Sequence, residues 1–172
     1  MNAEQLMHGE DWHGPDVTGW WITEKLDGCR ALWTGKEFVT RTGRAINAPD
    51  WFTAGLPAFP LDGEIHAGRG NFTAARLAVQ CGQFTPAVAF AAFDAPEVAS
   101  SQAMRQMVAG EALAGCQYAR AVDGYTAASM AEVWQDLDLV KSLGGEGLMA
   151  CKPGTKYVNG RTRTLLKLKS RP

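Results

Sequence analysis

The sequence predicts an α+β domain, antiparallel β-sheets flanked by helices. Three observations carry this. Short strand-like runs crowd the region 19–41, separated by Asp, Gly and Lys turns. Helical patterns recur later, but strands and helices do not alternate strictly as β-α-β, which argues against an all-parallel sheet. And 172 residues without a linker, repeat or low-complexity stretch make one domain, 1–172. A chain of this size buries roughly 70% of its unfolded surface and needs no staples.

In chain order, residues 1–18 read as a polar arm with weak periodicity. Strands are expected over 19–24, 29–34 and 37–41, with Thr34-Gly35-Lys36 as a tight turn and Arg41-Thr42-Gly43-Arg44 as a basic one. Asp27-Gly28 is a turn dipeptide, since Gly takes φ > 0 freely. Pro49 suits the first turn of a short helix. A strand over 59–66 surrounds Asp62-Gly63-Glu64. A helix over 71–80 follows, with Asn71 as cap. The apolar run 87–94, ending in Phe93-Asp94, suits a buried strand. Residues 100–113 read as an amphipathic helix presenting Met104, Met107 and Val108, and 117–122 as a strand. Ser129-Met130-Ala131-Glu132 is a capping-box pattern. Met130, Val133, Leu137 and Val140 then fall at helical spacing, and Gly144-Gly145 ends that helix. Strands at 146–151 and 164–168 close the chain, joined by a Gly-rich basic loop.

The composition, 46% apolar and 20% charged, is that of a soluble globular protein. No apolar run approaches the ~18 residues that span a membrane, and the N-terminus lacks a secretion signal. Cys29, Cys81, Cys116 and Cys151 form no short pair, so neither a zinc site nor a disulfide framework is indicated. His8 and His13, five apart, do not make a metal motif. A reduced, cytoplasmic protein is expected. Net charge is −1, yet residues 151–172 hold seven cations and no acid. Phosphate attraction is local, so such a stripe could serve nucleic acid; a solvated basic tail would read the same.

Lys25 stands between two strand-like runs and beside Glu24, Asp27 and Arg30. A plain hairpin with a charged tip would explain it. A nucleophilic lysine would too, if cations or a metal ion help the ammonium to lose its proton. Glu64 could bind a hydroxyl or a metal, or simply end a strand. Phe93 could stack on a base or belong to the core. Glu146, among glycines, could approach a metal or phosphate, or sit in a helix-to-strand turn. Lys167 and Lys169, two apart on a strand, share a face. Two ammonium groups so placed favour an anion between them.

The order of these segments is more specific than any one of them. Glu24-Lys25-Leu26-Asp27-Gly28-Cys29-Arg30, Arg41-Thr42-Gly43, Leu61-Asp62-Gly63-Glu64, Phe93-Asp94, Gly145-Glu146-Gly147-Leu148-Met149 and Leu165-Leu166-Lys167-Leu168-Lys169 resemble the covalent nucleotidyltransferases. They look most like small bacterial and phage ATP-dependent DNA ligases, in the adenylation domain. Gly68-Arg69-Gly70-Asn71-Phe72 and Tyr157 with Gly160-Arg161 also match.

The resemblance implies the ligase adenylation (ATP-grasp-like) fold, ATP with AMP carried on Lys25, and Mg²⁺ or Mn²⁺. Glu24, Arg30, Glu64, Phe93, Met149, Lys167 and Lys169 would line the nucleotide pocket. Phe93 would stack on adenine and the two lysines would meet the α-phosphate. Glu146, with Glu64, would hold the metal. Arg41, Arg44, Lys152 and Arg161 would face nicked duplex DNA, with Arg41 near the 5′-phosphate. Roles in DNA repair, replication and recombination follow, with a monomer and no membrane expected. An RNA ligase, a GTP-using capping enzyme or a non-catalytic nick-binding module would share the pattern. Relatives normally continue into an OB-type domain bearing a further basic motif; the sequence stops three residues after Lys169. An absent OB domain, or a separate partner supplying it, is the expectation.

Overall fold

The computed structural model describes residues 6–171. Two sheets form. The first orders its strands β1 (Met7–Asp11), β11 (Gly160–Leu168), β10 (Gly147–Cys151), β2 (Trp21–Lys25) and β9 (Gly124–Thr126). The second orders β5 (Ala45–Ile46), β4 (Phe38–Thr40), β3 (Gly28–Trp33), β6 (Leu61–His66), β7 (Ala89–Asp94) and β8 (Ala119–Ala121). The helices are α1 (Asp50–Thr53), α2 (Phe72–Cys81), α3 (Gln102–Leu113) and α4 (Met130–Ser142).

The α+β expectation holds, and most strand pairs are antiparallel. Two are parallel: β7 with β8, and β1 with β11. A parallel pair needs a long crossover, and α3 supplies it between β7 and β8. Between β1 and β11 lies nearly the whole chain.

Each sheet has its own core. Phe38, Phe52, Leu61, Ile65 and Phe90 pack beneath the six-stranded sheet with α1, α2 and α3. Ile22, Val133, Leu137, Leu148 and Leu168 pack between the five-stranded sheet and α4. The α4 spacing is thus borne out, and so is its cap: Ser129 Oγ accepts from Glu132 N at 3.2 Å, while Glu132 reaches back to Ala128 N. Asn71 stands at the N-cap of α2 without a side-chain bond.

Four expectations change. The polar arm contains β1, whose Met7 and Gly9 are buried while His8 and Glu10 are half-buried. β11 begins at Gly160, because residues 160–162 pair with β1. β5 and β9, of two and three residues, are too short to show a period. On α3, Met104 and Met107 point outward, 44% and 50% exposed, and the buried face carries Gln102, Arg105 and Gln106 with Ala109 and Leu113.

The fifth change matters most. β2 and β3 are not a hairpin. β2 pairs with β9 and β10, and β3 with β4 and β6, so Leu26-Asp27 carries the chain from one sheet to the other. Gly28 does not have positive φ. It is required for space: a Cβ there would lie 2.4 Å from Ile65 O.

Candidate active site

Lys25 is the last residue of β2, opposite Gly147 on β10. Gly147 has φ +143°, and a Cβ on it would lie 2.2 Å from Leu168 O. The bare backbone lets β10 enter between β2 and the end of β11. Glu146, one residue earlier, is thereby set against Lys25, with Nζ 2.5 Å from Oε2. Lys169 Nζ lies 3.9 Å from Oε1 of the same carboxylate. β11 ends at Leu168, so the two lysines part company. Lys169 turns to Glu146, whereas Lys167 faces the cavity, 4.0 Å from Asp11.

That cavity, about 570 Å³, opens between the sheets. Glu24, Lys25, Arg30, Arg41, Arg44, Glu64, Phe93, Met149 and Lys167 all line it. Residues from seven separate segments therefore converge as the sequence pattern requires. Lys152 and Arg161 do not line it; both are exposed elsewhere. The basic stripe is also partly neutralised. Arg163 pairs with Glu10, Lys167 with Asp11, Lys169 with Glu146 and Arg171 with Asp138.

Phe93 is half-buried and belongs to neither apolar core, which removes the core explanation for it. The Arg30 guanidinium lies 5.4 Å from its ring centroid. Arg30 is itself pinned. It donates to fully buried Asp62 through Nε at 3.0 Å and Nη2 at 2.5 Å, and to Met7 O at 2.6 Å. Tyr157 donates to Asp62 at 2.6 Å and accepts from Met7 N. Glu24 faces the cavity at the edge of β2, but its carboxylate is held by Arg69, both contacts at 2.8 Å.

A second buried pair fixes Phe93. Arg105, fully buried, clamps Asp94 through Nε at 2.5 Å and Nη2 at 3.0 Å, and donates to Thr155 O at 2.8 Å. It thus ties β7 to the β10–β11 loop. Gln106 donates to Phe93 O at 3.0 Å and accepts from Trp21 Nε1 at 2.8 Å, a further bond between the sheets. Sequence reading missed Arg105 and Gln106, quoted Asp62 only within a motif and weighed His8 only for a metal. Polar residues at the buried positions of a helix leave no apolar period to find.

Glu64 is pushed up to about 7, chiefly by burial, with Lys25 and Arg30 pulling the other way and Asp62 and Glu146 adding to the rise. Two carboxylates thus stand near one another beside Lys25. Among the described residues, no three His, Cys, Asp or Glu side chains gather as a metal cage. Mg²⁺ does not require one: it keeps several waters and takes one or two carboxylates plus substrate phosphates. The hard oxygens of Glu64 and Glu146 fit that demand.

No family model matches the chain. A curated DNA ligase of Haemophilus influenzae is 27% identical over 169 residues, 96% of this chain. The chain spans 63% of that relative's length. A solved structure of the Lig E DNA ligases, described as binding DNA with a minimal scaffold, is 32% identical, with TM-score 0.86 over 96% of this chain and 68% of its own. The Chlorella virus DNA ligase–adenylate shares the fold, with TM-score 0.81 at 21% identity over 97% of this chain and 67% of its own. With its fold, its cavity and this similarity together, the chain belongs to the ATP-dependent DNA ligases and has the fold of their adenylation domain.

Proposed function

We propose that this chain forms a lysyl-AMP intermediate on Lys25 and uses it to seal nicks in duplex DNA. The observation that carries the reading is Lys25, which lines one cavity with Glu64, Phe93, Met149 and Lys167 and meets Glu146 at 2.5 Å. Adenine stacks on Phe93, with Met149 beside it. Glu64 accepts from the ribose. Lys167 and Lys169 meet the α-phosphate, where Lys25 attacks and pyrophosphate leaves. Arg30, immobilised by Asp62, holds the sugar side of the pocket. Arg41 and Arg44, exposed on the β4–β5 turn, face the 5′-phosphate of the nick.

Glu146 and Glu64 would hold Mg²⁺ or Mn²⁺ together with phosphate oxygens, and its contribution is charge neutralisation during transfer. Positioning and fixed charge do most of the work in such reactions. Lys152 and Arg161, unpaired among the described residues, extend the DNA contact beyond the cavity. A separate OB-type domain or partner is proposed to orient the leaving pyrophosphate, because both assigned lysines serve the α-phosphate.

The experiment compares ordinary nicks plus ATP with pre-adenylated nicks, at two salt concentrations, using the 172-residue chain. Pre-adenylated nicks are expected to seal faster, and binding to fall steeply with salt. Sealing of neither substrate would favour a non-catalytic nick-binding module.

A further inference from the structure

His8 is unused by the reading above and lies outside the sequence motifs that carry the resemblance. β1 sets it into the same cavity as Arg30, Arg41 and Lys167. Its Nδ1 is 3.1 Å from Arg30 Nη1. A guanidinium only donates, so Nδ1 must accept through its lone pair. The ring is then neutral, with its proton on Nε2. The surroundings agree: burial first, then Arg30, Arg41 and Lys167, disfavour a charged imidazole, with Asp62 alone opposing them. Nε2 has no partner among the described residues, and it is not one of the buried atoms lacking one. His8 lines the cavity, where this N–H is free to donate.

We propose that His8 is a phosphate-binding residue, its Nε2–H donating to a phosphate oxygen held near Arg41 and Lys167. Arg30 fixes the tautomer that makes Nε2 the donor. Arg41 and Lys167 line the same cavity as His8, and both bear electrostatically on its ring. Among the described residues Arg41 has no ion pair, and the one ion pair of Lys167, with Asp11, is 4.0 Å long and the Asp11 side chain is 64% exposed. Such a cluster suits an anion with several oxygens. A third full charge would add repulsion when the site is empty; a neutral donor adds direction without it. The phosphate has two possible sources, the nucleotide or the 5′ end of a nicked strand. The choice between these probes rests on the proposed function.

The test is calorimetric binding by the 172-residue chain. AMP is compared with adenosine, and a 5′-phosphorylated nick with a 5′-hydroxyl nick. His8→Ala removes both ring nitrogens. His8→Asn keeps an acceptor near Nδ1 but loses the distal donor. His8→Gln can place an amide N–H near Nε2. Ala and Asn are expected to weaken a phosphate-bearing probe about three- to tenfold, the worth of one hydrogen bond. Gln retains most of the affinity, and the phosphate-free probes are unaffected. A loss confined to AMP assigns the nucleotide phosphate, and one confined to the nick assigns the strand end. An unchanged phosphate preference in folded His8→Asn overturns the proposal, as does a wild-type chain with no such preference. Failure of Lys25 to acquire AMP in a chain that still discriminates phosphate through His8 would instead overturn the proposed function alone.

Discussion

Lys25 and Glu146 meet at 2.5 Å across the junction of β2 and β10, and Lys169 approaches the other oxygen of the same carboxylate. An ammonium has no lone pair, so attack on a phosphate requires Lys25 to lose a proton and this ion pair to open. Glu146 therefore has two expected duties, holding Lys25 in place without nucleotide and turning to cation and phosphate with it. Glu146→Gln should bind AMP within a few-fold of wild type but charge far more slowly with ATP. Equal rates of AMP incorporation in the two proteins would deny Glu146 any part in the reaction.

Phe93→Ala should weaken AMP binding by about 1–3 kcal/mol, the usual worth of aromatic–base stacking. Its melting temperature should shift little, because Phe93 lies outside both apolar cores. Unchanged affinity in a folded protein would remove Phe93 from the pocket.

Glu64 makes the fold lose stability between mildly acid and neutral pH. Its carboxyl is raised from 4.5 to about 7, mainly by burial. The folded state thus holds a proton that the unfolded state has released, so stability falls as pH rises from about 4.5 to about 7. The loss is on the order of 3 kcal/mol at most. Glu64→Gln should flatten this slope and melt higher than wild type at pH 8, while binding nucleotide less well. Parallel stability–pH curves for the two proteins would show that Glu64 ionises without penalty.

Arg105 carries the junction between the sheets. Truncating it to Met leaves Asp94 buried and unpaired, at a cost of about 3–5 kcal/mol. Urea unfolding should show that loss. Adding Asp94→Leu should recover part of it, because the stranded charge is gone. A single Arg105→Met with wild-type stability would make the pair ornamental.

How much of this was legible depended on whether a residue repeats a pattern or completes a network. The α4 face, Val133, Leu137 and Val140, follows the helical period and was read correctly. The order of short motifs picked out Lys25, Glu64 and Phe93, which line one cavity, and Glu146, which meets Lys25. Their spacing along the chain says nothing of β2 and β3 lying in different sheets, which the pairing partners decide. Arg30 lines the cavity, but its bonds to Asp62 and Met7 could not be read, because they need a β1 whose five residues carry no strong strand signal. Gln102, Arg105 and Gln106 are buried because Phe93 O and Asp94 need partners, so the apolar expectation placed Met104 and Met107 inward instead. The stripe over 151–172 looked free because its partners Glu10, Asp11, Asp138 and Glu146 lie elsewhere in sequence.

Intact and peptide mass spectrometry after separate incubations with ATP, GTP and NAD tests the central claim most directly. With ATP and a divalent metal, one AMP should appear, acid-labile and mapped to Lys25, and Lys25→Ala and Lys25→Arg should gain none, since a guanidinium does not deprotonate. An AMP adduct that survives in Lys25→Ala, maps to another residue, or is replaced by GMP from GTP would contradict the account.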